Sequence, residues 1–344
     1  MLASLDHPPG RERIVHAGDR HVSTLIAVRV LAVVVAALAA ATAARASAER
    51  PFYAAVAAGA WHGVVSSSGA RHAVPGDRFG QLDLSPDRTS FVAPVGKSKL
   101  WIGKVAGGGR SVATPVQTTP PVYGPDGRVV YGAGATIRVL GGATLRPKLP
   151  AGARIVEVAA SKDAYAATVE WGDGKSGTLK NALYLIRAGG AKLLVRGTDA
   201  YSDRPHPVFS PDGSRIAYEQ GGDIWVTTTT GTRTRISRTP KAAETGACWS
   251  PDGTRLAYTS GRNGVNEVYA ATLDGHETRL THTAPHGAGV PQVGSVAGAW
   301  SPEGDRIAVI TYNSLGVVPA AGGATTIVRT FTPAASTYLG PVWW

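Results

Sequence analysis

The chain has 344 residues, of which 43% are hydrophobic, and its 43 glycines and 23 prolines follow no collagen-like period. This composition excludes a collagen-like chain and is typical of a globular protein rich in turns, and the single cysteine, Cys248, excludes an internal disulfide. The formal charge of +11 fits either an anionic partner or a generally basic surface, and the scattered arginines favour the second. We therefore expect no nucleic acid partner, and an anionic surface such as acidic wall polymer stays an alternative.

The N-terminal segment predicts the compartment. An uncharged, mostly apolar run from Val30 to Ala44 follows Arg29 and precedes "RASAER", which predicts a signal peptide cleaved after Ala48. The alternative is a retained membrane anchor, since adding Thr24 to Val28 lengthens the apolar run to about 20 residues. No cysteine follows the run, which excludes a lipoprotein. Either way we expect residues 1–48 to be a leader or anchor, and residues 49–344 to form one domain outside the cytoplasm.

One phrase recurs along the rest of the chain. "VFSPDGSRIAY", "CWSPDGTRLAY" and "AWSPEGDRIAV" are close copies, and "DLSPDRTSFVA" and "VYGPDGRVVYG" are weaker ones. The acidic residue after proline falls at Asp87, Asp126, Asp212, Asp252 and Glu303, at intervals of 39, 86, 40 and 51 residues, so the long interval is about two repeats. A cryptic unit, residues 155–171 with Asp163 in its turn, divides that interval.

Each unit contains four short β runs bounded by Gly, Pro, Asp and Asn, which predicts an all-β chain of four-stranded blades, a β-propeller. We expect the C-terminal "LGPVWW" to supply the inner strand of a blade whose outer strands come from residues 52–74, which would close the ring. Seven blades are predicted, with six as the alternative. Their inner strands should lie near Leu84, Tyr123, Val158, Phe209, Trp249, Trp300 and Trp343.

The recurring phrase has a structural explanation in its turn. Pro251 presets the backbone for a type I turn, Asp252 can accept hydrogen bonds from its own backbone, and Gly253 accepts a left-handed conformation, so a tight three-residue hairpin turn is expected. Arg88 stands where the other copies have glycine, which should strain that turn. We therefore assign a structural role to the repeat positions Pro86, Asp87, Pro125, Asp126, Gly127, Phe209, Pro211, Asp212, Gly213, Trp249, Pro251, Asp252, Gly253, Trp300, Pro302, Glu303 and Gly304.

At "FSPDGSRIAY", "WSPDGTRLAY" with "TRLT", and "WSPEGDRIAV", the chain resembles the TolB-like family of exported propellers. The resemblance covers about residues 81–344. The best-known members of that family are periplasmic six-bladed propellers that bind partner proteins of a cell-envelope complex. The resemblance therefore implies an extracytoplasmic propeller that binds protein.

Motifs for catalysis or cofactor binding are not found. There is no G-x-S-x-G, and Phe91 and Val169 occupy the places where a P-loop before either "GKS" needs glycine. His282 and His286 have a spacing that suggests a metal, but they flank Pro285 in a loop without an acidic third ligand nearby. His206 lies between two prolines and is interpreted as the rigid start of a strand. We predict no catalytic residue, no metal and no cofactor.

The longest connections predict the binding surface. They join the second strand to the third, or one blade to the next, and such loops gather on one face around the central channel. The contact residues predicted there are Trp171, Lys175, Tyr201, Arg262, Asn263 and His286. The function predicted is a monomeric, non-enzymatic scaffold for an envelope or extracellular protein. The alternative is a propeller hydrolase or lyase acting on a sugar, lactone or peptide at the channel mouth.

Overall fold

The computed structural model of the chain describes residues 51–58, 61–75, 82–172, 179–197, 204–239, 242–283, 296–311, 314–331 and 337–343. The regular elements in these segments are all β-strands, and they form seven four-stranded antiparallel sheets. The fold is a seven-bladed β-propeller, as the repeat spacing predicted, and six blades is wrong. Within the same segments, no helix has the length and apolar character needed to span a bilayer.

The strands follow the predicted repeat in chain order. Blade 7 combines both ends of the chain: β1 (Tyr53–Ala58), β2 (Trp61–Ser66), β3 (Arg71–Ala73) and β28 (Thr337–Trp343). Blade 1 contains β4 (Asp83–Leu84), β5 (Ser90–Val95), β6 (Lys99–Lys104) and β7 (Gly109–Ala113). Blade 2 contains β8 (Val122–Tyr123), β9 (Val129–Ala133), β10 (Thr136–Val139) and β11 (Thr144–Leu145). Blade 3, the cryptic unit, contains β12 (Arg154–Ala160), β13 (Tyr165–Gly172), β14 (Leu179–Arg187) and β15 (Gly190–Arg196).

The three closest copies of the repeated sequence lie at the first turn of the remaining blades. Blade 4 contains β16 (Val208–Phe209), β17 (Arg215–Gln220), β18 (Asp223–Thr228) and β19 (Arg233–Arg235). Blade 5 contains β20 (Glu244–Trp249), β21 (Arg255–Ser260), β22 (Glu267–Thr272) and β23 (Glu277–Arg279). Blade 6 contains β24 (Val296–Trp300), β25 (Arg306–Thr311), β26 (Ser314–Pro319) and β27 (Thr326–Thr330).

The two ends of the chain close the ring as predicted. In blade 7 the strand order is β28-β1-β2-β3, so the C-terminal strand is the inner one. It pairs antiparallel with β1, from Tyr53 opposite Trp343 to Ala58 opposite Thr337. Val342 is buried in a cluster that also holds residues of blade 6. All seven predicted inner positions fall in the inner strand of a blade, and successive inner strands from β4 to β28 contact one another.

The turn between the first two strands is fixed by hydrogen bonds of the repeated residues. In blade 5 the Gly253 amide donates to the Ser250 carbonyl at 2.9 Å, and Gly253 has φ of +67°. Ser250 Oγ donates to Asp252 Oδ1 at 2.6 Å, and the Thr254 amide donates to the same oxygen at 3.0 Å. The Ser250 amide pairs with the Arg255 carbonyl, so four residues separate the pair, one more than the predicted three. Arg88 adopts φ of +60°, a conformation that costs a non-glycine residue about 1 kcal/mol.

The same phrase also links each blade to its neighbours. Trp249 Nε1 donates to the Val208 carbonyl of blade 4 at 3.1 Å, and Trp300 Nε1 donates to the Cys248 carbonyl of blade 5 at 3.2 Å. In the other direction, Arg255 donates to the Gly304 carbonyl of blade 6 at 3.0 Å and covers the ring of Trp300. The hydrophobic core accordingly lies between the blades as a series of separate clusters.

A second repeated set of hydrogen bonds fixes the outer strands of blades 4 and 5. Glu267, fully buried at the start of β22, accepts hydrogen bonds from Arg279 at 2.9 Å, from Thr281 and from the Thr283 amide at 2.7 Å. In blade 4, Asp223 accepts in the same way from Arg235 and from the Thr239 amide. A buried carboxylate is tolerated because several donors surround it. These contacts explain why the sequence pattern Arg-Leu-Thr or Arg-Ile-Ser closes each of these blades.

Candidate functional site

The two ends of the ring differ in their connections. Because neighbouring strands are antiparallel, the turns after the first and third strands of each blade lie at one end, which we call the turn face. The connections after the second and fourth strands lie at the other end, which we call the loop face. Between the described strands, turn-face connections have two to six residues, whereas the loop-face connection from Arg279 to Val296 has sixteen and that from Arg196 to Val208 has eleven.

Three of the six predicted contact residues lie in the described part of the chain, in blades 3 and 5. Trp171 is the next-to-last residue of β13 in blade 3, is half-buried and packs against the cluster between blades 2 and 3. Arg262 and Asn263 lie in the loop between β21 and β22 of blade 5. Lys175, Tyr201 and His286 lie outside the described residues. The structure therefore brings Arg262 and Asn263 together and places Trp171 two blades away.

Arg262 and Asn263 both contact Tyr269, which is buried. The Arg262 guanidinium lies 4.1 Å from the centre of the Tyr269 ring, and Asn263 Nδ2 donates to the Tyr269 hydroxyl at 2.6 Å. Arg262 also donates to Glu277 at 2.6 Å and lies 3.3 Å from Glu244, whose side chain is fully buried. The side chain of Arg262 is only 17% exposed, so most of its hydrogen-bonding capacity is used inside the protein.

Two residues of this cluster, Glu277 and Tyr258, have shifted pKa values. Burial opposes ionisation of Glu277, but hydrogen bonds from Arg262 and Tyr258 and the charge of Arg262 outweigh it and lower the pKa of Glu277 below 4.5. Burial, then the hydrogen bond to Glu277, raise the pKa of Tyr258 far above its usual value. Ser260 and Ser237 donate to Glu244 at 3.0 and 2.7 Å. Arg262 is therefore the cation shared by two carboxylates, Glu277 and Glu244.

A second polar cluster lies between blades 3 and 4, where the sequence predicted only the start of a strand. His206 Nδ1 lies 2.8 Å from Glu157 Oε1 of the inner strand β12, and half of the His206 side chain is exposed. His206 has φ of +37°, which is uncommon outside glycine and is found more often at functional sites. The hydrogen bond to Glu157 is the largest influence on the pKa of His206 and, although burial opposes it, the pKa lies above 6.5.

Arginines complete this cluster. Glu170, 2% exposed, accepts from Arg204 at 2.6 Å and from Arg154 at 3.1 Å. His206 stands between Pro205 and Pro207. This is the only feature of the sequence that points to the cluster, and from the sequence it was interpreted as the rigid start of a strand. Among the residues that the structure describes, no group of three or more His, Cys, Asp or Glu side chains could hold a metal ion.

Comparison with known proteins identifies the fold class. No protein-family model matches the chain, and no curated protein sequence matches it. Similar solved structures include the β-propeller domain of Cps50 (Swd1) from Myceliophteria thermophila, with 12% identity, 78% of this chain and 92% of that chain covered, and a TM-score of 0.53. An oligogalacturonate lyase in complex with manganese has 14% identity, 82% and 85% coverage, and a TM-score of 0.52. TolB from Acinetobacter baumannii has 17% identity, 71% and 53% coverage, and a TM-score of 0.40.

The class defined by these findings is the β-propeller, a scaffold whose blades position sites at either end of a central channel. At identities of 12% to 17%, the similarities show the fold alone. TolB, the family that the repeats resemble, is represented among the similar structures.

Proposed function

We propose that the chain is an exported, non-enzymatic propeller that binds a partner protein at the cell envelope through its loop face. The observation that carries the proposal is the asymmetry of the ring: turn-face connections have two to six residues, whereas loop-face connections vary from two to sixteen, and the two longest follow blades 3 and 5. Uniform turns serve the fold, and loops of unequal length on a rigid scaffold are the usual place for recognition.

The loop between β21 and β22 of blade 5 supports this proposal through Asn263. Its side chain is exposed, and its amide donates to the hydroxyl of Tyr269, a buried residue on which the Arg262 guanidinium stacks. A side chain that is fixed before binding loses little conformational entropy on association. The other proposed contacts, as the sequence predicts them, are Trp171, Lys175, Tyr201, Arg262 and His286.

The proposed location rests on the N-terminal pattern. Residues 1–48 would direct export, and residues 49–344 would act as a monomer outside the cytoplasm, either released or held by a retained N-terminal anchor. Mass spectrometry of the protein isolated from the envelope and cytoplasmic fractions distinguishes these alternatives. In the envelope fraction, a chain that starts at Glu49 supports cleavage and an intact chain supports a retained anchor; an intact chain found only in the cytoplasmic fraction contradicts export.

The binding proposal is tested by affinity capture from envelope fractions with three forms of the full chain. The first is unchanged, the second carries Lys175→Glu with Tyr201→Ala on the loop face, and the third carries Arg110→Glu on the exposed outer strand of blade 1 as the matched control. We expect a partner that the unchanged chain and the control retain and the loop-face variant loses at least tenfold. A partner held equally by all three forms would contradict the loop face as the binding surface.

A second candidate is a propeller hydrolase or lyase, and the pairing of His206 with Glu157 at 2.8 Å favours it. Because the hydrogen bond to Glu157 raises the pKa of His206, more of its imidazole is protonated at a given pH than in a histidine with the ordinary pKa, so it could act as a proton donor; this ability is lost as the pH rises through the raised pKa. Turnover of a sugar, lactone or peptide substrate should fall about 100-fold in His206→Gln and decline at alkaline pH. Equal turnover by the unchanged chain and His206→Gln, or none by either, argues against catalysis.

A further inference from the structure

The positive charge of the chain is not uniform around the ring. Residues 88–156, which span most of blades 1 and 2 and the connection to blade 3, contain ten Lys or Arg residues and one acidic residue, Asp126. Residues 244–279 of blade 5 contain three basic and five acidic residues. Blades 1 and 2 therefore hold a local excess of positive charge.

Four basic side chains of this region lie on the loop face. Lys97 is in the loop between β5 and β6, Lys99 is the first residue of β6, and Arg146 and Lys148 follow β11. All four are exposed, and within the described residues no hydrogen bond or ion pair involves their side chains. The connection from β3 to β4 includes residues 76–81, outside the described residues, which contain one aspartate and one arginine and so add no net charge. The loop face of blades 1 and 2 thus presents four uncommitted positive charges.

The acidic residues of the loop face do not offset these charges at the surface. Those that the structure describes in the loop-face half of the blades are all buried or half-buried: Asp83, Glu157, Glu170, Glu219, Asp223, Glu244 and Glu267. In blade 1, the Asp83 carboxylate accepts hydrogen bonds from the backbone amides of Leu84 at 2.8 Å and Tyr123 at 2.7 Å. The turn face differs, because its cavity of about 800 Å³ is lined by two basic and three acidic residues. The exposed excess of basic side chains in blades 1 and 2 therefore lies on the loop face.

An exposed apolar residue lies beside the two lysines of blade 1. Val116 is 60% exposed, the largest value among the large hydrophobic residues that the structure describes, and Pro115 next to it is also exposed. The following residue, Gln117, is buried and fastens this segment to the lysine loop. Its backbone amide donates to the Lys97 carbonyl at 2.8 Å, and its Nε2 donates to the Lys99 carbonyl at 3.0 Å. Hydrogen bonds of the fold therefore hold Val116 at the surface next to two basic side chains.

These residues match one class of partner. Exposed lysines and arginines attract carboxylates and steer association, although each exposed ion pair contributes little to affinity. Affinity must then also come from burial of apolar surface, which Val116 offers. A protein segment in which Asp or Glu residues flank an aliphatic side chain satisfies both requirements. A polyanion without aliphatic groups would leave Val116 exposed to solvent.

We propose that the basic loop-face surface, formed by Lys97, Lys99, Val116, Arg146 and Lys148, docks an acidic segment of the partner protein in which Asp or Glu residues flank an aliphatic side chain. The carboxylates pair with the four basic side chains, and the aliphatic side chain packs on Val116. This inference rests on the proposed function, because the partner is the protein that the loop face binds, and it adds the chemistry by which that partner is recognised. Because the ion pairs are exposed to solvent, added salt weakens them.

Fluorescence anisotropy of labelled synthetic peptides with the full chain tests this surface. The acidic probe has glutamates on both sides of a central Leu-Ile pair. The first control peptide has glutamine in place of every glutamate, and the second has serine in place of the Leu-Ile pair. We expect the acidic probe to bind at least about tenfold more tightly than either control peptide and to bind less tightly as NaCl is added.

Three variants locate the site. Lys97→Glu with Lys99→Glu should weaken binding of the acidic probe about tenfold or more, because attraction becomes repulsion. Val116→Ser should weaken it about fivefold, because less apolar surface is buried. Lys162→Glu with Arg187→Glu makes the same change of charge on the turn face of blade 3 and is the matched control that should leave binding unchanged. Because all the replaced side chains are exposed, the Tm of each variant should match that of the unchanged chain.

Three results would overturn the proposal. The first is an acidic probe that does not bind at millimolar concentration, or binds no better than the glutamine peptide. The second is equal affinity for the serine peptide, or binding of phosphatidylglycerol vesicles without binding of the acidic probe, which would assign the surface to a polyanion or to lipid. The third is binding that is unchanged by Lys97→Glu with Lys99→Glu, which would place the peptide elsewhere.

Failure of this inference is distinguishable from failure of the proposed function. If the acidic probe does not bind but a captured partner is still lost by Lys175→Glu with Tyr201→Ala, only the acidic segment is wrong. If the acidic probe binds through Lys97 and Lys99 but the captured partner is held equally by all forms of the chain, the proposed loop-face contacts are wrong and the basic loop-face surface remains.

Discussion

Deleting residues 337–344 should leave no folded monomer. The deletion removes β28, the inner strand of blade 7, and thereby the whole pairing with β1. The inner edge of β1 is then unpaired, and the cluster between blades 6 and 7 loses Val342. We expect the truncated chain to elute as aggregate in size-exclusion chromatography and to show no cooperative thermal unfolding, because an unpaired strand edge favours association and the net stability of a domain is only about 5–15 kcal/mol.

A point substitution tests the same closure without shortening the chain. Val342 is 7% exposed, and a Cβ built on Gly298 of blade 6 would lie 2.7 Å from its Cβ, so the two strands pack closely. Val342→Asp buries a charge without a partner and should lower the free energy of unfolding by several kcal/mol. Val116→Asp, at a position that is 60% exposed, is the matched control and should change it by less than about 0.5 kcal/mol. A truncated chain that stays monomeric with an unchanged Tm would show that the ring does not depend on this closure.

The architecture could be predicted because each blade of the propeller repeats a short sequence whose residues interact with one another. The Ser-Pro-Asp-Gly turn acts within six residues, and an aromatic residue stands at the same place before it in blades 4 to 6, so the period and the closure by the chain ends could be predicted. The cryptic blade 3 was found by its spacing, with β12 at Arg154–Ala160 and β13 at Tyr165–Gly172. These elements are determined by residues close together in the chain, and such residues form patterns that can be recognised in the sequence.

The clusters at the ends of the ring could not be predicted in the same way. His206 meets Glu157 across about fifty residues of sequence, and Arg262 meets Glu244 from a different strand. Spacing gives no indication of which loop residue turns inward. Arg262 was predicted as a surface contact, and the structure shows it largely enclosed by carboxylates and aromatic rings. The cavity of about 800 Å³ on the turn face is lined by residues of four blades, so the sequence of a single repeat does not predict it.

Arg262→Met should lower the free energy of unfolding by about 3 kcal/mol at pH 7, measured by urea denaturation. The change leaves Glu244, which is fully buried, and Glu277 without their shared cation, and the loss of one partner from a buried ion pair is strongly destabilising. Arg238→Met, at an exposed arginine of blade 4, is the matched control and should change stability by less than about 0.5 kcal/mol.

The pH dependence separates this ion network from simple loss of packing. In the unchanged chain the pKa of Glu277 is lowered, so its contribution is present above the unfolded value of 4.5 and disappears as the pH falls through the lower folded value. The stability difference between the unchanged chain and Arg262→Met should therefore narrow as the pH is lowered from 7 towards 4 and below. Adding Glu244→Gln to Arg262→Met should recover part of the loss, because the buried charge is then removed. A difference that is constant with pH and is not reduced by the second substitution would mean that Arg262 stabilises blade 5 by its stacking on Tyr269 alone.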